Sequence, residues 1–216
     1  MQTVIPGLHA CPPQALSFAP SLHVRSFLLQ REQGNLLVYG TATAAEEARA
    51  IADLGGATRH YLGHWHEADI AGESVFDAID VPLFCHEDER AEVARTASVA
   101  GTFAARHMAG DDFEVIPIPG HTPGSTAYLW DSGAHRCLFT GDTLYLRRGE
   151  WVAAVLESSD RATYIESLEL IKQLEFDVLV PWAATVGQPC HAITNKADLR
   201  RRVDAILERV RSGDDH

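Results

Sequence analysis

The chain has 216 residues, 46% of them hydrophobic and 22% charged, enough apolar sequence for one large core or two small ones. Its 18 basic residues against 30 acidic ones leave a formal charge of −12, with no Lys/Arg stripe able to neutralise phosphates, so nucleic acid is excluded as an expected partner. No stretch approaches the roughly 20 apolar residues of a bilayer span, and residues 1–20 lack a basic region followed by an apolar run. No membrane association, a cytoplasmic location and a single domain over 1–216 are therefore expected.

In chain order, Leu22 to Leu29 and Leu36 to Tyr39 are β-prone runs around the polar turn 31–35, which predicts a hairpin. Thr43 followed by Glu46 has the capping-box spacing, Ala44 to Leu54 is rich in helix formers, and Gly55-Gly56 supplies the stop. Tyr61-Leu62 reads as the end of a strand that runs straight into His64. Val81 to Cys85 and Phe113 to Ile118 read as buried strands flanking a helix from about Asp88 to His107. The turn Asp131-Ser132-Gly133 separates two further strands, Thr126 to Trp130 and Arg136 to Thr140. Asp160 can cap a helix whose apolar face is Tyr164, Leu168, Ile171 and Leu174. After a strand at Val178 to Val180, the last helix buries Leu199, Val203, Ile206, Leu207 and Val210.

Three remote segments have the composition of one metal site. In an extended loop, residues two apart point the same way, so His64 and His66 can face one ion while Trp65 points elsewhere. His121 lies in Pro119-Gly120-His121-Thr122-Pro123-Gly124, where prolines restrict the backbone and glycines free it. Asp142 follows a strand through Gly141 and would project from a sheet edge. Three imidazoles and a carboxylate suit Zn²⁺, or Fe²⁺ if positions stay open. His9, His23, His60, His107 and His135 are read as surface or hydrogen-bonded residues. Cys11, Cys85, Cys137 and Cys190 show no C-x-x-C spacing, so reduced, mostly buried thiols are expected rather than a disulfide framework.

On these motifs the chain resembles the metallo-β-lactamase-fold superfamily, whose signature is H-x-H-x-D-H, a distant His, a bridging Asp and a final His. The resemblance implies an α/β fold, a four-layer αββα sandwich with the site along one edge of the two sheets. It implies His64, His66 and His121 as the histidines of a first metal site and Asp142 as the carboxylate shared between two metals. The chain also departs from the family: Ala68, Asp69 and Ala183 stand where ligands of a second metal belong. Tyr39-Gly40-Thr41 replaces an acidic turn that would supply a supporting carboxylate. One zinc, with iron as the alternative and no second metal, is the expected cofactor.

The expected activity is hydrolysis of a small ester, thioester or lactone at this mononuclear site, with Asp142 and Asp69 as the catalytic carboxylates. Asp69 or Glu67 would partly replace the base missing at position 68, an assistance of about 10²–10⁴ in rate. Trp65, Trp182, Tyr145, Arg147, Arg148 and Trp151 are expected around the cleft, and His191 is a candidate substitute for the lost final histidine. Two alternatives stay open. One is a mononuclear iron oxygenase on His64, His121 and Asp142, and the other a family member that binds metal or ligand without turnover. The partner expected is a small molecule; the sequence says nothing of oligomeric state.

Overall fold

The computed structural model describes residues 1–213, and the chain divides into two compact units, 1–104 and 105–216. In the first unit the strands are Gln2–Ile5 (β1), Leu8–Ala10 (β2), Gln14–Leu16 (β3), Ala19–Val24 (β4), Phe27–Leu29 (β5) and Leu36–Val38 (β6). Ala48–Asp53 (α1), Arg59–Tyr61 (β7), His66–Ala71 (α2), Glu73–Ile79 (α3), Leu83–His86 (β8), Arg90–Val93 (α4) and Val99–Phe103 (β9) complete it. Seven of these strands form one sheet in the order β1-β2-β5-β6-β7-β8-β9, with β3 and β4 pairing antiparallel as a hairpin.

The expected hairpin over 31–35 is present, Phe27 opposite Val38 and Leu29 opposite Leu36. The Leu22–Leu29 run is instead two strands. They break at Arg25-Ser26, where the Arg25 guanidinium donates to the Cys11 carbonyl and the Ser26 hydroxyl pairs with Thr41. From β6 onward the sheet turns parallel, Val38 beside Tyr61 and Tyr61 beside Phe84, so successive strands end side by side. Loops leaving such adjacent ends can meet one another, and this is what assembles the first half of the site.

Two helix expectations are corrected. Residues 42–47 form a 3-10 turn before α1, and Thr43 donates to the Pro12 carbonyl instead of capping a helix. Gly55 and Gly56, both at positive φ, do stop α1. The helix expected from Asp88 to His107 shrinks to a 3-10 turn and the four residues of α4, and Val99–Phe103 is a strand. Val99, Thr102 and Phe103 prefer a pleated surface. Gly101 lies where a Cβ would come within 2.5 Å of the Phe84 ring, so the neighbouring strand requires a glycine there.

In the second unit the strands are His107–Met108 (β10), Phe113–Pro117 (β11), Thr126–Asp131 (β12), Arg136–Phe139 (β13), Tyr145–Arg147 (β14) and Glu150–Val152 (β15). Arg161–Gln173 (α5), Val178–Val180 (β16), Ala183–Thr185 (β17), Ala192–Ile193 (β18) and Lys196–Ser212 (α6) follow. Strands β10-β11-β12-β13-β16-β18 form one sheet; β14 pairs with β15 and β17. The Asp131–Gly133 turn joins β12 to β13 as expected.

Asp160 caps α5 by accepting from the Thr163 amide, and α6 is capped by Asn195, which accepts from Ala197 and Asp198. The predicted apolar faces of both helices are buried, Tyr164, Leu168 and Ile171 on α5 and Leu199, Val203, Ile206, Leu207 and Val210 on α6. They share one core with Ile116, Leu129, Leu138 and Leu179 of the sheet. Each unit is thus a sheet with helices packed on it. Among the described residues no helix is long and apolar enough to cross a membrane.

Candidate metal centre

The first half of the site grows from the ends of β6 and β7. Gly63 and His64 follow β7, and residue 65 already has helical dihedrals, φ −67° and ψ −28°, so His66 opens α2. The extended loop expected here is therefore a helical turn. The two imidazoles still lie together, 5.0 Å between ring centroids and nearly perpendicular, while Trp65 lies tilted against His66 at 4.0 Å.

Two buried carboxylates clamp this turn. Glu67, 0% exposed, accepts from the Gly63 amide and the His64 Nδ1 on one oxygen, 3.0 Å each, and from the Gly40 amide on the other at 3.1 Å. Glu89, also buried, accepts from the Trp65 amide at 2.7 Å. Glu67, offered by the sequence as a partial substitute base, is thus taken up by three donors as a support of His64. Behind it, fully buried His60 donates to the Tyr39 carbonyl at 2.7 Å and holds that residue at φ 70°, an uncommon conformation for a non-glycine. Burial lowers the His60 pKa to about 4, the bond to Tyr39 partly opposing it.

In the second half, a set of short polar contacts folds the His121 loop. The Ser125 hydroxyl meets the Thr122 amide and hydroxyl, Ser159 donates to the His121 carbonyl, and Ser167 donates to the Pro119 carbonyl at 2.6 Å. Gly120, at φ 135°, passes so close to α5 that a Cβ would lie 2.4 Å from the Tyr164 Cα. The His121 Nδ1 is 2.6 Å from the Ala154 carbonyl, and its Nε2 is 3.8 Å from Asp142 Oδ2. Asp142 leaves β13 through Gly141 at φ 56°, and the Tyr164 hydroxyl donates to the next carbonyl, that of Thr143, at 2.6 Å.

His64, His66, His121 and Asp142 form one cluster: each offers a ligand atom, and these atoms all lie within 4.8 Å of one another. His64 and His121 are buried, His66 and Asp142 half-buried. The donor chemistry fits a divalent ion. On both buried histidines Nδ1 lies within hydrogen-bond distance of an acceptor, the Glu67 carboxylate or the Ala154 carbonyl, which leaves Nε2 as the nitrogen available to a metal ion.

Other expected residues lie outside this group. Asp69 is exposed on α2 and accepts from the Thr96 hydroxyl. Ala68 packs with Leu62, Leu83, Cys85 and Val93 in an apolar cluster, and Ala183 is buried in β17. Trp151 and Trp182 are buried, Trp151 stacked on Phe176 with Arg202 over its ring, so Trp151 is a core residue and not a cleft wall. Arg147 and Arg148 are exposed at the β14–β15 turn, where Arg148 and Gly149 both have positive φ. His191 is half-buried near His135 and outside the cluster. The four cysteines stand as thiols, joined by no disulfide among the described residues, and burial pushes Cys11, Cys85 and Cys137 up to about 12. His9, His60, His107 and His135 have ordinary hydrogen-bond partners, as read from the sequence.

The supporting roles of Glu67, Glu89 and Tyr164 are absent from the expectations drawn from the sequence, which assigned Glu67 a base role and Tyr164 a place on the apolar face of α5. Glu67 carried one usable signal, an acidic residue one position past the second histidine; Glu89 and Tyr164 carried none, since their contacts arise only from folding.

Residues 45–183 match the family model of the metallo-beta-lactamase superfamily. The chain belongs to that superfamily. It is 27% identical over 153 residues to a hydroxyacylglutathione hydrolase of Erwinia tasmaniensis, a match covering 70% of this chain and 58% of that protein. Among solved structures, a metallo-beta-lactamase from Pontibacter korlensis superposes with a TM-score of 0.72 at 14% identity, covering 96% and 97% of the two chains. A metallo-beta-lactamase family protein from Thermus thermophilus gives 0.65 at 20% identity, covering 97% and 81%. The expected metallo-β-lactamase-type α/β fold is thereby established.

Proposed function

We propose that this protein is a metal-dependent hydrolase of a small thioester, ester or lactone, working with one ion held by His64, His66, His121 and Asp142. The observation that carries the reading is the make-up of the cluster: three imidazoles and one carboxylate whose ligand atoms all lie within 4.8 Å of one another, with alanine at positions 68 and 183, where a second metal would need ligands. The name of the Erwinia relative, a hydrolase of a glutathione conjugate, favours the thioester among these substrates. Zinc suits three imidazoles and a carboxylate best.

An ion bound there would supply Lewis acidity, polarising a carbonyl and bringing the pKa of water toward neutrality. The protein's part is positioning. Glu67 and the Ala154 carbonyl hold the imidazoles of His64 and His121, and Tyr164 holds the turn that carries Asp142. Asp142 has two parts, a carboxylate of the metal set and acceptor of the proton released as water attacks the carbonyl. Asp69 would have to act from outside the cluster, through intervening water. The net charge of −12 supports a small-molecule substrate over nucleic acid, and four scattered cysteines without C-x-x-C spacing support a reducing compartment such as the cytoplasm.

Purified protein is to be treated with chelator, reloaded with zinc or iron, and assayed on a panel of acyl thioesters and lactones. Zinc-restored hydrolysis supports the proposal. Iron-dependent oxygen uptake would favour the oxygenase, and metal binding with no turnover the non-catalytic alternative.

A further inference from the structure

We propose that Glu67 is the positioning residue of the metal site, fixing His64 as the Nδ1–H tautomer; the inference rests on the metal-site reading above. Three donors meet on this one buried carboxylate: the Gly63 amide and the His64 Nδ1 on Oε1, and the Gly40 amide on Oε2. Gly63 follows β7 and Gly40 follows β6, and these strands run parallel with Val38 beside Tyr61. Glu67 therefore ties together the ends of two neighbouring strands and the first imidazole.

Two features make position 67 the source of this carboxylate. A Cβ on Gly40 would lie 2.8 Å from the Glu67 backbone oxygen, so an acidic side chain cannot be built at 40 without moving the loop. The Tyr39 turn that delivers the Gly40 amide is itself held by buried His60 through the Tyr39 carbonyl. The carboxylate already accepts two backbone N–H groups, so the imidazole contributes a third donor, Nδ1–H, and its Nε2 lone pair is directed to the ion.

The test uses the full chain, wild type and Glu67→Gln. Long-range ¹H–¹⁵N NMR on the metal-free wild type reads the His64 tautomer, and competition with a chromophoric chelator reads the zinc Kd of both proteins. Circular dichroism and melting identify the conditions in which each is fully folded. The expected results are Nδ1–H for His64 and, in the folded variant, a zinc Kd raised about 10–100-fold. A role limited to bracing the loop would lower the melting temperature but leave the Kd of the folded protein unchanged, which overturns the proposal. An Nε2–H tautomer in the wild type overturns it too, even if the variant fails to fold. Wild-type protein with the Nδ1–H tautomer that binds no zinc contradicts the metal reading, not the placement of His64 by Glu67.

Discussion

The Tyr164 hydroxyl, buried on α5, donates to the Thr143 carbonyl at 2.6 Å and so fixes the turn carrying Asp142. Burial, reinforced by the Asp142 charge, keeps this phenol well above its ordinary pKa, so it remains a donor at any working pH. Tyr164→Phe leaves a buried carbonyl without this donor, an expected cost of about 1–3 kcal/mol in urea unfolding. Zinc affinity should fall several-fold in the same variant, since Asp142 then sits on a looser turn.

Gly120 tests the backbone of the His121 loop. Alanine there meets both an unfavourable φ of 135° and the Tyr164 Cα at 2.4 Å. Gly120→Ala should destabilise by roughly 2–4 kcal/mol, measured by chemical denaturation. Unchanged stability would mean that the loop and α5 do not approach as described.

His60 predicts a pH dependence of folding. Its folded pKa, lowered by burial to about 4, lies below its unfolded value near 6.5, so the unfolded chain binds more protons between these limits. Stability should therefore fall as pH drops from 6.5 to 4, by about 3 kcal/mol from this group. Urea titrations across that window should show the slope, and a His60→Gln variant should flatten it.

Much of this architecture is legible in the sequence, because the burial pattern of α5 and α6 and the 31–35 hairpin follow from local periodicity and turn chemistry. The site histidines and Asp142 are legible because glycine and proline fix their loops at recognisable spacings. The helix expected over 88–107 failed where neighbouring strands decided the outcome: Gly101 under the Phe84 ring is a tertiary constraint without a local signal. The same holds for Glu67, whose partners at positions 40 and 63 become neighbours only once β6 and β7 pair.

Ala68 and Asp69 bear on whether the second metal site can be restored. Ala68 is fully buried among Leu62, Leu83, Cys85 and Val93, so Ala68→Asp should destabilise the fold by several kcal/mol rather than recreate a ligand. The combined change Ala68→Asp, Asp69→His, Ala183→His should accordingly give poorly folded protein and not two metals per chain. Asp69→Asn should alter kcat by less than about threefold, since its carboxylate is exposed and bonded to Thr96. A loss on the order of 10² would return the base role to Asp69.

Metal analysis of the purified full chain, with His121→Ala beside it, addresses the central claim most directly. About one zinc per wild-type chain and almost none in the variant is the predicted result. Two ions per chain, or zinc retained undiminished without the His121 imidazole, would contradict a single ion held by His64, His66, His121 and Asp142.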